Sequence, residues 1–314
     1  MRGWIKQATE LYYNFITSKT DKPVIVIESD DWGSLRTKNK RTRALLNEIS
    51  PSVRNDRYTQ LDSLANVDDL NALFETLHSV RDRKGNPAKL TANVCVANPD
   101  FERIKKDKFD IFHYENFNTT IKRHNHGKEI WNLWEDGIKN KMFHPQLHGR
   151  EHVHALQWLA ELRAGNKDLL KAFELESFGI PYQPVLNKRR KNLQAALDIY
   201  GLNDEDEFQN NWIKESADIF EKVFGFRSTT FIPPAYTWHS KINDILHDSG
   251  VKALQGIKLQ YQPKGAGYRR KFHYTGQHKN KLRYIIRNVF FEPASAPEKD
   301  WVDITLSGIE RAFS

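Results

Sequence analysis

The chain has 314 residues, of which 39% are hydrophobic and 28% charged, a composition typical of a folded globular protein. Eight Trp, eleven Tyr and eighteen Phe exclude intrinsic disorder, and the single Cys95 excludes an intramolecular disulfide or a cysteine-cluster metal site. No apolar run of about 18 residues occurs, so we expect no transmembrane segment. The amphipathic N-terminus lacks the pattern of a signal peptide, which makes the cytoplasm the expected location.

The net charge of +8 raises the question of nucleic-acid binding. Basic clusters lie at 36–43, 188–191 and 268–287, and they are interspersed with acidic stretches such as 204–207. No helix-turn-helix, zinc-finger or single-strand-binding motif accompanies them. We therefore expect solvated basic loops and no nucleic-acid partner.

The predicted elements alternate between strands and helices. Apolar β-rich runs predict strands at 23–28 (fully buried), 90–97, 143–147, 228–232, 253–257 and 284–291. Helical spacing predicts helices at 67–83, 129–141, 240–248 and 303–313, and helical patterns dominate from 153 to 224. This alternation implies a mainly parallel sheet, either doubly wound or closed as a barrel. We predict one α/β domain over residues 1–314, with a mainly helical insertion near 155–224.

Chemistry is expected at the carboxyl ends of the strands, where such folds carry their functional groups. The predicted strand 23–28 leads directly into Ser29-Asp30-Asp31-Trp32-Gly33. Adjacent carboxylates point in roughly opposite directions, so one can bind a divalent cation while the other accepts a proton from water. A helix N-cap or a solvated turn is the alternative, and the buried strand before the pair favours function.

The predicted strand 143–147 leads into four histidines, namely His144, His148, His152 and His154. His148 and His152 are four residues apart, which places two imidazoles on one face of a turn or short helix. Such a pair is close enough to hold one metal ion. Glu151 or a backbone carbonyl could hold the second ring nitrogen of either ligand. The order of residues differs from the zincin motif.

The predicted strand 228–232 ends in Pro233-Pro234, which cannot continue at once into a helix and forms a rigid wall. Tyr236 and Trp238 follow, and their aromatic planes suit the C–H face of a sugar ring. A buried aromatic loop is an equally good interpretation of this segment.

Taken in order, these three strand ends resemble the polysaccharide deacetylase family, also called the NodB homology domain or carbohydrate esterase family 4. Asp30-Asp31 matches the paired aspartates of its first motif. The segment from His148 to His152 matches the second, His-Ser/Thr-x-x-His, with Gly149 in the hydroxyl position. Residues 232–236 match the third, Arg-x-Pro-aromatic, only loosely. The resemblance spans roughly residues 23–314 and favours a divergent branch with insertions.

The resemblance implies a distorted, often incomplete (β/α) barrel with a divalent metal ion of the Zn²⁺ type. Carried over to this chain, the expected ligands are Asp31, His148 and His152, and Asp30 is the expected catalytic base. The expected substrate-binding residues are Trp32, Arg150, Pro234, Tyr236 and Trp238. The implied reaction removes an acetyl group, foremost N-acetyl, from a carbohydrate by means of metal-activated water.

Two departures from the family pattern matter. Ile232 replaces the arginine that orients the base, so another residue must hold Asp30, and Arg150 is the candidate. The late Leu-x-His motif, which supplies the general acid, has no counterpart before the chain ends. We expect that the chain stops short of its last strand. The alternatives are that His239 or His273 donates the proton, or that activity is impaired.

Two other functions stay open at this point. A catalytically weak carbohydrate-binding or scaffold protein with the same fold would account for the two departures. A nucleic-acid-binding protein would account for the +8 charge, and its affinity would fall steeply with salt.

Overall fold

The structure, a computed structural model, describes residues 12, 13, 15–186, 193–265 and 267–313. The strands are β1 (Ile27–Trp32), β2 (Leu90–Cys95), β3 (Ala97–Pro99), β4 (Tyr114–Asn116), β5 (Phe143–Gly149), β6 (Thr230–Phe231), β7 (Ala253–Gly256), β8 (Leu259–Lys264), β9 (Gly267–Phe272), β10 (His278–Lys279) and β11 (Leu282–Ile286). The N-terminal residues 1–11 and the basic cluster at 188–191 lie outside the described residues.

Helices occupy the connections between the strands. They are α1 (Lys40–Leu46), α2 (Pro51–Arg54), α3 (Arg57–Leu61), α4 (Val67–Ser79), α5 (Phe101–Lys106), α6 (Phe117–Arg123), α7 (Gly127–Lys139), α8 (Ala155–Arg163), α9 (Lys167–Glu174), α10 (Glu205–Phe224), α11 (Asn243–Asp248) and α12 (Trp301–Phe313). Short 3₁₀ helices span Pro234–Tyr236, Ser240–Ile242 and Pro293–Ser295. None of these described helices has the length and apolar character needed to cross a membrane.

The main sheet has seven strands in the order β1-β2-β5-β6-β7-β11-β10. The first six pair in parallel, and β10 pairs antiparallel with β11 at one edge. The mainly parallel α/β fold predicted from the sequence is therefore confirmed. Because these six strands run in the same direction, their carboxyl ends lie along one end of the sheet.

The sheet is strongly curved. In a flat sheet β1 and β7 would lie on the order of 19 Å apart, for four spacings of about 4.8 Å. Yet Gln255 of β7 donates a hydrogen bond to Glu28 of β1, and Arg287, directly after β11, pairs with Glu28 at 2.8 Å. Side chains thus join the two sides, while β1 and β10 form the edges of the described backbone ladder. A closed barrel is not confirmed.

Two hydrophobic clusters fill the interior. The larger one packs the sheet against α4, α7 and α10, and it includes Trp134, Phe143 and Trp212. The second surrounds Trp158 of α8 and Phe173 of α9, in the segment between β5 and β6 that the sequence predicted to be mainly helical. This segment places helices next to the carboxyl end of β5.

The first predicted strand is displaced in the structure. β1 begins at Ile27, where pairing with Leu90 of β2 starts, and it continues through Trp32. Residues Val24, Ile25 and Val26, predicted to be fully buried, are 60%, 59% and 66% exposed. The prediction was wrong because β1 is an edge strand, and its apolar run extends beyond the end of its single neighbour. The strand therefore includes the aspartate pair itself.

The other strands agree with their predicted positions more closely, although their ends differ. β11 ends at Ile286, so the aromatic residues Phe290 and Phe291 of predicted strand 284–291 are outside it and exposed. Predicted strand 228–232 is reduced to the two residues of β6. The β8–β9 hairpin was not predicted, because the other strands were found as continuous apolar runs and the hairpin contains none. The alternation in β8 was a strand signal that went unused.

Gly149 ends β5 and determines how the chain enters the histidine segment. Its φ is +119°, and a Cβ at this position would lie 2.0 Å from Cη2 of the buried Trp212. We predict that Gly149→Ala lowers the free energy of unfolding by about 3 kcal/mol, because both the backbone and the packing oppose a methyl group.

Gly165→Ala is the matched control, since Gly165 also has a positive φ (+76°) but no atom within 4 Å of its added Cβ. The free energy of unfolding of this control should fall by about 1 kcal/mol. Urea denaturation of both variants measures the difference, and equal losses would show that Trp212 does not restrict this position.

Candidate metal centre

Asp30 and Asp31 occupy a bulge in β1. Ser29 pairs with Ala92, but Trp32 pairs with Val94, so two residues of β1 lie opposite one of β2. Asp31 has φ = 65°, in the left-handed region that non-glycine residues rarely adopt. Bulges re-aim side chains next to active sites. Here the bulge sends the two adjacent carboxylates to different partners.

Asp31 meets His148 and His152 at the carboxyl edge of the sheet. Its Oδ1 lies 2.9 Å from Nε2 of His148 and 3.1 Å from Nε2 of His152. The three ligand atoms all lie within 4.8 Å of one another. Both histidines are buried, one at the end of β5 and one in the loop after it. The structure thus brings together the three residues that the sequence predicted as metal ligands.

The surroundings of this triad fit a divalent metal ion. Nδ1–H of His148 donates to the carbonyl oxygen of Ile232 at 2.7 Å, so Nε2, which faces Asp31, is the nitrogen that would bind a metal. Arg36 donates to Oδ2 of Asp31 at 2.8 Å, so Oδ1 faces the histidines. Two imidazole nitrogens and one carboxylate oxygen form a donor set that zinc and similar ions accept.

The protonation states of Asp31 and His152 also fit a metal ion. Burial raises the pKa of Asp31, but the charges of His152 and Arg36 and hydrogen bonds from both histidines hold it well below its usual range. Burial lowers the pKa of His152, and Asp31 reverses this only in part. A carboxylate and a neutral imidazole are the forms that bind a metal ion. Burial lowers the pKa of His148, but the hydrogen bond and charge of Asp31, the charge of Asp30 and the carbonyl of Ile232 together raise it. A metal ion would therefore have to displace a proton from this imidazole.

Asp30 is held apart from the triad by Arg287. The two terminal nitrogens of Arg287 donate to Oδ2 and Oδ1 of Asp30 at 2.6 and 2.7 Å, and Asn93 donates to Oδ1 at 2.8 Å. Burial raises the pKa of Asp30, but the hydrogen bonds and charge of Arg287 bring it below its usual range. Arg287 thus holds the ionised carboxylate that the sequence predicted to be the base.

Arg150 does not have the role that was predicted for it. Its guanidinium is buried, donates to Glu151 at 2.6 and 3.0 Å, and pairs with Glu215. The ring of Tyr114 lies 4.4 Å from its carbon Cζ. Arg150 therefore joins the histidine loop to α10. It neither holds Asp30 nor presents its charge to a substrate.

The other four residues predicted to bind substrate differ in their surroundings and in how exposed they are. The hydroxyl of Tyr236 accepts a hydrogen bond from Arg287 at 3.0 Å, and Pro234 is buried in the same 3₁₀ turn. Trp238 is only 2% exposed and stacks on His273, so neither face of its indole is open to a sugar. Trp32 is half-buried against Phe143.

The two alternative proton donors are engaged elsewhere. His273 is buried, and its ring nitrogens lie 2.8 and 2.9 Å from Gln277 and Gln260. Nδ1 of His239 accepts a hydrogen bond from the backbone of Lys241 and caps a 3₁₀ helix. Both histidines therefore have structural roles in the region that follows β6.

A cavity of about 260 Å³ adjoins the carboxylate pair. Its walls include Asp30, Asp31 and Trp32, together with Asp62 and the apolar side chains of α7. Asp62 lies 3.1 Å from Arg36, which also pairs with Asp31. Burial raises the pKa of Asp62 to about 6, and Arg36 opposes the shift only in part.

Sequence reasoning missed four polar residues around this centre, namely Arg36, Asp62, Asn93 and Arg287. A signal existed for Arg287, which directly follows a parallel strand at the functional edge of the sheet. Asn93 lies within a buried strand, where a polar residue also needs a partner. No local pattern marked Arg36 or Asp62.

Asp62 gives a prediction about stability and pH. A folded-state pKa above the unfolded value of about 3.9 means that stability is lost as the pH rises through 6. As the pH rises from 5 to 7.5, the free energy of unfolding of Asp62→Asn should therefore increase by about 1 kcal/mol relative to that of the wild type. Urea denaturation across this range measures the difference. The exposed Asp68→Asn is the control, and a flat difference for Asp62→Asn would contradict the assignment.

Comparison with known proteins gives only distant structural likeness. No protein-family model matches the chain, and no curated protein matches it in sequence. A 4-α-glucanotransferase of Thermococcus litoralis aligns at 12% identity and a TM-score of 0.31, covering 73% of this chain and 22% of that enzyme. A polysaccharide deacetylase of Bacillus cereus aligns at 12% identity and a TM-score of 0.33, covering 84% and 63%. Likeness at these TM-scores carries no functional argument.

Proposed function

We propose that the protein is a metal-dependent hydrolase that removes acetyl groups, foremost N-acetyl groups, from a carbohydrate. The observation that carries this proposal is the division of two adjacent carboxylates between two tasks. Asp31 joins His148 and His152 in a metal-binding triad, while Asp30 is oriented separately by Arg287. The motif resemblance supplies the substrate class, and the geometry supports the chemistry.

The triad would hold a divalent ion of the Zn²⁺ type through Oδ1 of Asp31 and Nε2 of each histidine. Three protein ligands leave a position open, as catalytic rather than structural zinc sites do. An ion bound there would supply Lewis-acid activation of water and of the acyl carbonyl.

Asp30 would accept the proton of the attacking water. Its two oxygens are fixed by Arg287 and Asn93, so the side chain cannot rotate freely. The lowered pKa keeps it ionised at neutral pH, which is the form a general base requires. Tyr236 stays protonated, since burial raises its pKa to about 12. Its hydroxyl accepts a hydrogen bond from the same Arg287 nitrogen that donates to Oδ2 of Asp30.

The proposal predicts distinct results for the triad and the base. Asp31→Ala and His148→Ala should lose bound metal, because each removes a ligand atom. Asp30→Asn should keep the metal but release acetate at least about a hundredfold more slowly, because the amide cannot accept a proton. Elemental analysis and an acetate-release assay on N-acetylated saccharides measure both properties.

His144→Ala is the control for these variants, since this histidine lies on the same strand but is exposed and outside the triad. It should retain both metal and activity. Wild-type metal content in the Asp31 and His148 variants would refute the proposed centre, and unchanged turnover in Asp30→Asn would refute the base.

Arg287 is predicted to act as a positioning residue. Arg287→Gln should keep the metal and lower kcat about a hundredfold with little change in KM, because Asp30 loses its orientation. The pKa of Asp30 should rise without the guanidinium, so the acidic limb of the pH–rate profile should move to higher pH. Arg283→Gln is the control, because Arg283 is exposed and lies on β11, the strand that Arg287 directly follows. An unmoved acidic limb in Arg287→Gln would contradict the role.

A further inference from the structure

The positive charge of the chain is concentrated in one segment. Residues 249–291 contain ten Lys and Arg and no Asp or Glu. Since the whole chain has 48 basic and 40 acidic residues, the remainder has 38 and 40. The segment therefore carries +10 and the rest of the chain −2. The expectation of basic clusters mixed with acidic stretches does not hold here.

Part of this segment, the β8–β9 hairpin, is attached to the elements that hold Asp30. The β8–β9 hairpin leaves the carboxyl end of β7, where the carbonyl of Gly256 accepts a hydrogen bond from the backbone of Arg287 at 3.0 Å. Gln260 of the hairpin donates to the carbonyl of Trp238 at 2.6 Å, two residues after Tyr236. The hairpin is thus anchored to the two segments that orient Asp30.

The outward face of the hairpin combines aromatic rings with a guanidinium. The register pairs Leu259 with Phe272 and Tyr261 with Arg270, which puts these four side chains on one face, and all are exposed. The rings of Tyr261 and Tyr268 are 6.4 Å apart, and the guanidinium of Arg270 lies 5.9 Å from the ring of Tyr261. Aromatic faces beside a guanidinium suit a sugar ring that carries an anionic group.

The cations of the segment lack acidic partners in the part of the chain that the structure describes, apart from Arg287, which pairs with Glu28 and Asp30. Crowding of like charges is evident at Lys271, whose pKa is lowered chiefly by the charge of Lys279. Such repulsion is relieved when an anion binds. The hairpin therefore has charge complementarity to a polyanion.

We propose that the β8–β9 hairpin binds an anionic polysaccharide and directs it to the candidate metal centre. This inference rests on the proposed function, because a carbohydrate substrate at the neighbouring site favours a glycan over a nucleic acid. A sugar ring would pack on Tyr261, and an acidic group of the glycan would pair with Arg270 on the same face. Lys264 and Arg269 lie on the opposite face near the hairpin turn and are exposed, so they would meet acidic groups where the glycan passes around the end of the hairpin.

The test measures the binding of three probes to the wild type and to two matched variants. The probes are an oligogalacturonate, a neutral oligomer of N-acetylglucosamine and single-stranded oligo-dT, each titrated at low and high salt. The hairpin variant is Lys264→Gln/Arg269→Gln/Arg270→Gln. The control, Arg83→Gln/Lys84→Gln/Lys89→Gln, removes the same charge from exposed positions between α4 and β2.

Oligogalacturonate is expected to bind more tightly than the neutral oligomer and to weaken as salt screens the charges. The hairpin variant should weaken this binding about tenfold, which corresponds to about 1.4 kcal/mol, and the control should change it less than about twofold. Equal effects of the two variants, or equal binding of the neutral oligomer, would overturn the proposal. Tighter hairpin-dependent binding of oligo-dT would instead identify a nucleic-acid surface, and would also overturn it.

His148→Ala separates this inference from the proposed function. The variant should lose metal and acetate release but bind oligogalacturonate as the wild type does, because the hairpin is unchanged. Wild-type protein that binds oligogalacturonate through the hairpin but holds no metal and releases no acetate would refute the proposed function alone. Acetate release without hairpin-dependent binding would refute the hairpin inference alone.

Discussion

The ion pair network of Arg287 with Glu28 and Asp30 is the interaction on which the functional edge of the sheet depends. β1 has one neighbouring strand, and its preceding apolar residues are exposed, so backbone pairing alone fixes it weakly. Arg287 joins it to the opposite side of the curved sheet, 257 residues away in sequence. Breaking such a partly buried pair would leave two carboxylates without a counter-charge. The same guanidinium therefore holds the curvature of the sheet, the orientation of Asp30 and its ionised state.

The adjacent carboxylates show how one short segment supports two chemical roles. The bulge in β1 turns Asp31 toward Arg36 and the histidines, whereas Asp30 faces Arg287 and Asn93. Both carboxylates are ionised, but different cations balance them. In other enzymes as well, separate environments assign acid, base and ligand roles to similar side chains. Without the bulge, strict alternation along the strand would place the two side chains on opposite faces of the sheet.

The sequence predicted contacts best where each residue lies in a recognisable local motif, and least well where the partners are far apart along the chain. Asp31, His148 and His152 were found because each lies in a short motif directly after a strand. Arg287 was missed although it is the one charged residue in the apolar run 284–291, because that run was predicted as a single strand and its partners Glu28 and Asp30 lie at the other end of the chain. Arg150 was misassigned for the opposite reason. It lies between the two histidines in sequence, but the path of the loop turns its side chain toward Glu151 and Glu215. The start of β1 was misplaced because hydrophobicity does not distinguish an edge strand from a central one.

The position of Arg287 favours the hydrolase hypothesis over that of a catalytically weak binding protein. One reason for the latter was the replacement of the motif arginine by Ile232. The carbonyl of Ile232 instead accepts from His148, while the guanidinium reaches Asp30 from the strand on the other side. A charge that orients Asp30 is therefore present in this chain, at Arg287. Charge also distinguishes two parts of the molecule, because carboxylates line the cavity, whereas cations cover the hairpin that is attached to the segments of Tyr236 and Arg287. An acidic glycan would keep its charged groups on the hairpin, since the carboxylates of the cavity would repel them.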